Sequence, residues 1–393
     1  MNPPIALQEA LDKIKQLKNN FYFRRKTERV DLADSVGREL GETIHSNFMS
    51  PEFDIAAMDG FAIRYEDKYP LNITGKAYAG DRILKIKSCE AVTIATGAIM
   101  PDGANAVMKI EDALVEKELL NGKRLRKWEN VFRAGSDYKK GDKIFEKNHR
   151  IMPQSAALLY NLGVEKVDVY KKIRVGIIST GTEIHNGMIK NTNAVLIQGF
   201  MKEHRCDSAF IGTIPDDYDS IKKMLLSACE QYDVVFTTGG VSVGEQDYVS
   251  DIIKETGELV FHKVAIRPGK PIAAGIINDK PVFALPGKPT GAFAAFELVV
   301  RSYFTDIPRA NSELLINEDV AIQEKDFNYI LFVKKIGNRA NTMGYESSEM
   351  KLCVKEYETS LISASPRSTI VDGYVMTDRD IKKGERVLIH LFR

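Results

Sequence analysis

The 393-residue chain has almost no net charge, few cysteines and no long apolar run. Lysine and arginine number 55 against 54 aspartates and glutamates, a balance of +1, so no bulk basic field exists to hold nucleic acid or an acidic membrane. No uninterrupted apolar stretch approaches the roughly 20 residues of a membrane span. The amino end, Met1-Asn-Pro-Pro followed by charged amphipathic sequence, lacks the apolar core of a secretory signal. These absences predict a cytoplasmic protein with neither nucleic acid nor membrane as partner. Cys89, Cys206, Cys229 and Cys353 are dispersed, without a Cys-x-x-Cys pair, which argues against a zinc cage and a disulfide framework. His204 beside Cys206 supplies too few ligands for a metal and reads as an exposed helix end. Walker, His-Glu-x-x-His and Gly-x-Ser-x-Gly patterns are also missing, so phosphate-loop ATPase, zinc protease and serine hydrolase lose their main support.

What is present is a chain with 44% apolar and 28% charged residues, long enough for more than one core, since single cores stop growing at roughly 250–300 residues. Leu7, Leu11, Ile14 and Leu17 recur at the spacing of an amphipathic helix, whose apolar stripe requires a partner surface in the same chain or in a second subunit. From about 45 to 140 short β-like runs such as Leu71-Asn-Ile-Thr, Ala91-Val-Thr-Ile and Ala106-Val-Met-Lys-Ile alternate with glycine and proline, which predicts a small β domain. Pro153 and Gly163 bracket a helix over 154–162. Between roughly 171 and 310, apolar runs at Ile173, Asp207, Asp233 and Pro281 alternate with helical stretches such as 220–228 and 292–300, the pattern of a largely parallel sheet covered on both faces. After a linker at Thr305–Glu313 the remainder is β-rich, with Ile330-Leu-Phe-Val, Lys351-Leu-Cys-Val and Arg386-Val-Leu-Ile-His-Leu. The fold class is multidomain α/β.

In an open parallel sheet, ligands collect at the carboxyl ends of the strands. Three strands here run into glycine-bearing turns: Thr180-Gly181-Thr182-Glu183, Thr238-Gly239-Gly240-Val241-Ser242, and Pro286-Gly287-Lys288. One such turn is ordinary, but three on one edge outline a pocket in which backbone and hydroxyl groups approach phosphate. Glu183, Asp216 and Asp247 fall on the same edge. Mg²⁺ needs only one or two carboxylates when a diphosphate supplies further oxygens, so a nucleotide-like diphosphate with Mg²⁺ fits. Asp217 competes with Asp216 as the cap of the helix near Tyr218, whereas Glu183 and Asp247 show no capping role in the sequence. The alternating run Phe261-His-Lys-Val-Ala-Ile-Arg-Pro-Gly-Lys-Pro reads as a strand that projects Lys263 and Arg267 from one face, a site for a small dianion, with Lys270 in the following turn.

These residues resemble a known family. Ser179-Thr-Gly-Thr-Glu, Thr238-Gly-Gly-Val-Ser-Val-Gly-Glu-Gln-Asp-Tyr, Arg267-Pro-Gly-Lys-Pro and Leu285-Pro-Gly-Lys-Pro look like the molybdopterin molybdenumtransferases, bacterial relatives of the carboxyl-terminal domain of gephyrin. So do Ser50-Pro-Glu-Phe-Asp-Ile-Ala-Ala-Met-Asp-Gly-Phe-Ala and Ala95-Thr-Gly-Ala-Ile-Met-Pro-Asp-Gly-Ala-Asn-Ala-Val. The resemblance covers nearly the whole chain. It implies a homodimer with a helical part over 1–45 and 141–170, an inserted β domain over 46–140, an α/β substrate domain over 171–310 and a β barrel over 311–393. It also implies a reaction in which adenylylated molybdopterin and molybdate give the metal-loaded pterin and AMP, assisted by Mg²⁺. Lys263 and Arg267 would hold molybdate, Glu183, Asp216 and Asp247 would bind Mg²⁺ and the pyrophosphate link, and Asp59 and Thr96 would reach a site completed across the dimer. Transient contact with the adenylyltransferase that makes the substrate is a further expectation. Arg267 stands where relatives often carry lysine, which keeps the charge. The arginine some relatives place before an Asp-Phe pair has no counterpart at Glu324-Lys-Asp-Phe, and Ser360 and Ser363 align loosely. The adenylyltransferase itself, which shares the α/β domain but lacks the Met-Asp-Gly domain, and a noncatalytic scaffold are the competing readings.

Overall fold

The computed structural model describes residues 3–22, 25–240, 247–322, 326–343 and 371–392. Its contacts divide the chain into two compact units, one of residues 27–170 and one of residues 1–26 with 171–393. Among the described residues no helix is long and apolar enough to cross a membrane.

The unit of residues 27–170 carries a six-stranded sheet in the order Ala106–Lys109, Gly60–Ile63, Glu90–Ile94, Leu71–Ala77, Leu119–Gly122 and Ala113–Glu116. Period-two alternation sends Ala62, Val92, Ile94 and Val107 into one core and Phe61, Ile63, Leu71 and Met108 into another. The strands predicted near Leu71, Ala91 and Ala106 are all present. A third cluster, Leu40, Ile151, Leu159 and Val167, packs the helix Pro153–Asn161 on the antiparallel pair Thr27–Asp31 and Lys166–Tyr170. Pro153 sits in the first turn of that helix and Gly163, at φ +77, follows its carboxyl cap, as the two punctuating residues predict.

In the second unit a six-stranded sheet runs in the order Asp207–Ile214, Arg174–Thr180, Val234–Thr238, Lys280–Leu285, Ala273–Ile277 and Glu258–His262. The first four strands are parallel, Ala273–Ile277 runs against them, and Glu258–His262 pairs antiparallel with Ala273–Ile277. The antiparallel edge arises at Asn278-Asp279, which take φ +49 and +61, the two-residue turn that folds a chain straight back. Ile177, Phe236 and Phe283 face one helical layer, while Ile178, Val235 and Ala284 face the other. The helix Leu7–Tyr22 buries Leu7, Ala10, Ile14 and Leu17 in the first of these cores. Its partner surface is therefore in the same chain, and this compact unit takes the helix that the family pattern groups with 141–170.

Five strands close on themselves in the carboxyl-terminal part of the same unit: Asn328–Ile336 pairs with Arg339–Thr342 and Gly373–Thr377, and Asn311–Ile316 links Arg339–Thr342 to Arg386–Leu391, which returns to Gly373–Thr377. This is the predicted barrel. The run Lys351-Leu-Cys-Val, Glu324-Lys325, Ser360 and Ser363 lie outside the described residues. One predicted strand is corrected. Strand Glu258–His262 stops before Lys263, whose φ is +66, and Ile266–Arg267 joins the barrel beside Asn328–Tyr329. Lys263 and Arg267 therefore do not project from one strand face, because the two halves of the alternating run belong to different sheets.

Candidate active site at the carboxyl edge of the sheet

Four turns lock together where the parallel strands end. Ser179 and Thr180 are buried at the end of their strand. Gly181 follows at φ +136 and opens a short helix, Thr182–His185, with its N–H donating to the Ile214 carbonyl at 3.0 Å. The loop after Asp207–Ile214 is knotted to this turn. The Thr182 N–H donates to Asp216 Oδ2 at 3.2 Å, and the Asp216 N–H donates to Thr182 Oγ1 at the same distance. Gly239 and Gly240 take φ +80 and +66, and a Cβ on either would meet Thr180, on Gly239 at 2.4 Å from the backbone oxygen. Only glycine tolerates both the conformation and that approach. Ser179 Oγ and Thr238 Oγ1 lie 2.9 Å apart, joining the first and third strand ends.

The fourth strand's turn is held in the same way. A Cβ on Gly287 would sit 3.6 Å from the Gly239 Cα, and Asn193 Nδ2 donates to the Gly287 carbonyl at 2.7 Å and to the Pro286 carbonyl at 3.4 Å. Asn191 caps its own helix by accepting from the Ala194 N–H and donates to Ser179 Oγ at 2.9 Å. The Arg267–Lys270 turn reaches the same place, since a Cβ on Gly269 would lie 3.2 Å from the Gly291 carbonyl and from the Ala295 nitrogen. Lys270 Nζ stands 5.2 Å from the Phe327 ring. Ser242 lies outside the described residues. The remaining predicted binding residues, Thr180, Gly181, Thr182, Gly239, Gly240, Lys270, Pro286 and Gly287, belong to these four turns.

The acidic residues divide by what already occupies them. Asp217 caps the helix Tyr218–Gln231 through the Ser220 N–H at 2.9 Å, and the Ser220 hydroxyl, followed by that N–H, holds its carboxyl below the usual aspartate range. Asp216 binds the Thr182 turn instead. Asp247, expected to have no capping role, caps the helix Tyr248–Thr256 through the Ser250 N–H at 3.2 Å. Its other oxygen lies 2.7 Å from His262 Nε2, on the strand end just before Lys263. Glu183 is exposed, its carboxylate lies beside Gly181, and that carboxylate accepts no hydrogen bond among the described residues. Among those residues no group of three or more His, Cys, Asp or Glu side chains could hold a metal ion, so the three carboxylates do not form a ready cage. Lys263 is buried, and its backbone ties the amino-terminal segment to the sheet by accepting from the Ile5 N–H at 3.0 Å.

In the other unit, Asp59 and Thr96 meet directly. The Thr96 N–H and hydroxyl donate to Asp59 Oδ1 at 2.7 and 2.8 Å, and these bonds hold the exposed Asp59 carboxyl below its ordinary range. The Asp59-Gly60 step is more than a turn, because Gly60 begins a strand where a Cβ would come 1.8 Å from the Met108 oxygen.

Asn191, Asn193 and His262 were not visible as site residues in the sequence. The two asparagines carried a signal, a pair of amides at a helix start, but nothing local tells which turns they bind. His204, expected at an exposed helix end, does end the helix Thr192–Glu203 but is half-buried between the Phe296 and Phe304 rings.

Interlocked glycine turns, fixed hydroxyls and an unoccupied carboxylate at the carboxyl edge of a largely parallel sheet place the chain in the class of α/β proteins that bind ligands at that edge. Comparison with known proteins narrows the class. Residues 5–163 match the family described as MoeA N-terminal region (domain I and II), and residues 176–306 the family described as probable molybdopterin binding domain. The chain is 29% identical over 379 residues to the molybdopterin molybdenumtransferase of Haemophilus influenzae, covering 90% of this chain and 94% of that protein. To the molybdopterin molybdenumtransferase of Bacillus subtilis it is 34% identical over 322 residues, covering 76% and 74%. A crystal structure of the molybdopterin biosynthesis protein moeA from Pyrococcus horikoshii superposes with a TM-score of 0.80 at 26% identity, over 99% of this chain and 100% of that one. The chain belongs to the molybdopterin molybdenumtransferase family, enzymes of molybdenum cofactor biosynthesis.

Proposed function

We propose that this enzyme transfers molybdenum from molybdate to adenylylated molybdopterin and releases AMP, with Mg²⁺ assisting. The observation that carries the reading is the convergence of four turns on one sheet edge, with Gly239 against the Thr180 carbonyl, Asn193 on Gly287, and Gly269 against Gly291. Such a rim presents fixed N–H and hydroxyl groups that need no reorganisation as charge develops on a phosphate or oxyanion.

Thr180, Gly181, Thr182, Gly239, Gly240, Ser242, Pro286 and Gly287 serve the phosphates of the substrate. Lys263 and Arg267 serve the molybdate dianion, and Lys270 adds a third cation. Glu183, Asp216 and Asp247 are the protein's carboxylates for Mg²⁺. The residues fit an ion that takes one or two of these and draws its other oxygens from the phosphates, as Mg²⁺ commonly does. When bound, the ion supplies charge neutralisation between the acidic edge and the pyrophosphate link. Asp59 and Thr96 serve the same reaction from the second chain of a homodimer. The adenylyltransferase that makes the substrate is a transient partner, and the cytoplasm is the site of action.

Titration of the purified protein with adenylylated molybdopterin and molybdate, read as AMP release, tests the proposal. AMP whose formation depends on added molybdate supports it. Appearance of adenylylated pterin from Mg-ATP and free molybdopterin would instead identify the adenylyltransferase. Unchanged molybdate-dependent turnover in Glu183→Gln would remove the site assignment.

A further inference from the structure

A second cavity opens at the opposite edge of the α/β sheet. Arg174, Asp233 and Lys280 stand at the amino ends of three parallel strands and line a cleft of about 1230 Å³. The strand Arg174–Thr180 separates this edge from the glycine turns by roughly 20 Å at about 3.3 Å per residue. The cleft is thus distinct from the candidate active site.

Its charge is one-sided. Arg25, Lys26, Lys171, Lys172, Arg174 and Lys280 line it against the carboxylates of Asp233 and Asp279. Asp233 is already engaged, accepting the Arg174 backbone N–H at 2.9 Å and lying 3.7 Å from Arg174 Nε and 3.9 Å from Lys280 Nζ. Lys172 Nζ reaches Asp207 at 3.5 Å, while the side chains of Lys26 and Lys171 make no ion pair among the described residues. The backbone that carries these cations is fixed. The Lys171 N–H donates to the Lys26 carbonyl at 2.9 Å, and Arg25 Nη2 donates to the Lys171 carbonyl at 3.4 Å.

The rest of the lining is not what a simple ion needs. Leu17, Phe21, Ile173 and Ile276 give an apolar surface, and Asn19, Asn20 and Asn278 bring amide side chains to the wall. We propose that this cleft is a second ligand site, for a nucleoside polyphosphate, separate from the glycine-turn rim and independent of the reaction assigned to it. The cations take the phosphates, the apolar floor takes the ring, and the amides offer donors and acceptors to its edge. The volume exceeds the roughly 300–1,000 Å³ of common small-molecule sites, so a whole nucleotide enters with water around it. An inorganic anion would leave the apolar floor unused.

Hydrogen exchange of the full chain with ATP, in the absence of divalent metal, locates the ligand even if the rim also binds it. Protection is expected in peptides covering 171–176 and 276–281. The double variant Lys26→Glu/Lys171→Glu should weaken ATP binding about tenfold or more, as removal and reversal of two charges implies, while molybdate-dependent AMP release persists. Protection confined to 180–183 and 286–291 overturns the proposal, as does unchanged ATP affinity in the double variant. Equal protection by inorganic tripolyphosphate would show that charge alone is read, and stronger protection by a polyglutamate peptide would assign the cleft to an acidic protein segment; either result also overturns it.

Discussion

Replacing Gly239 by alanine tests the interlocked rim most directly. At φ +80 an L-residue bears roughly 1–2 kcal/mol of conformational cost. The added Cβ would also fall 2.4 Å from the Thr180 carbonyl oxygen and 3.0 Å from its Oγ1, about 1 Å inside ordinary contact, and relief of such overpacking costs a further ~1–3 kcal/mol. The matched control is Gly384→Ala, in the same compact unit, where φ is +83 and nothing lies within 4 Å of the added atom. Only the conformational part applies there, so Gly239→Ala should lose about 1–3 kcal/mol more stability than Gly384→Ala, read as urea midpoints at constant slope. Backing the third turn away from the first by about 1 Å also misplaces the phosphate donors, and misplacement on that scale lowers turnover by about a hundredfold. AMP release should therefore collapse in Gly239→Ala and survive in Gly384→Ala. Equal losses of stability with turnover retained in both would refute the claim that close approach of the two turns builds the site.

Glu183→Gln should cut molybdate-dependent AMP release at least tenfold while stability stays within about 0.5 kcal/mol, since the carboxylate holds no other group. Asp247→Ala should lower both turnover and stability, the latter by about 0.5–2 kcal/mol, because it also removes a helix cap. Burial between aromatic rings pushes the His204 pKa down from 6.5 to about 4. Below pH 6.5 the unfolded chain binds a proton that the folded chain refuses, so stability is full above that pH and falls as the pH drops toward 4. The loss is at most about 3 kcal/mol, and His204→Phe should flatten that part of the pH profile. Glu297, whose side chain is fully buried, accepts from Arg309 Nε and Nη2 at 2.9 and 3.0 Å and from the Tyr374 hydroxyl at 3.3 Å. Arg309→Met should cost less in denaturant titration than the about 3–5 kcal/mol of a fully unpaired buried charge, because Arg301 Nε still lies 3.8 Å from Glu297 Oε1.

The parallel strands were legible because a buried strand is a short apolar run, and the rim because glycine must follow such a run wherever backbone approaches backbone. The cap at Asp217 was legible for the same local reason. What failed was what periodicity does not encode. The alternation through Phe261–Pro271 continues across Lys263, but the chain turns there and gives Ile266–Arg267 to the barrel, so a correct reading of pattern assigned two sheets to one strand. The bonds from Asn193 to Gly287 and the approach of His262 to Asp247 join residues 94 and 15 positions apart, and no spacing rule connects them. Asp59 and Thr96 became candidates only through the family's Met-Asp-Gly and Thr-Gly-Ala motifs. The structure then supplied the physical link, a single carboxylate oxygen that accepts both donors of Thr96.

The same edge gives its carboxylates different tasks, and that division follows from where each falls on the chain. Asp217 and Asp247 cap the helices that follow them, each accepting a free N–H of its own helix, while Asp216 accepts the Thr182 N–H at the start of another helix. Their oxygens are thereby held in place, and Asp247 is held twice, by the Ser250 N–H and beside His262. Glu183 lies one position inside its short helix, past the cap, with a longer side chain and no N–H to take. In the proposed function it is the carboxylate that meets an incoming cation. A rim that must be rigid before its ligand arrives yet still offer a free charge needs both kinds of acid. Asp216 fixes the Thr182 turn, Asp217 and Asp247 fix the starts of their own helices, and the Glu183 carboxylate remains available beside Gly181.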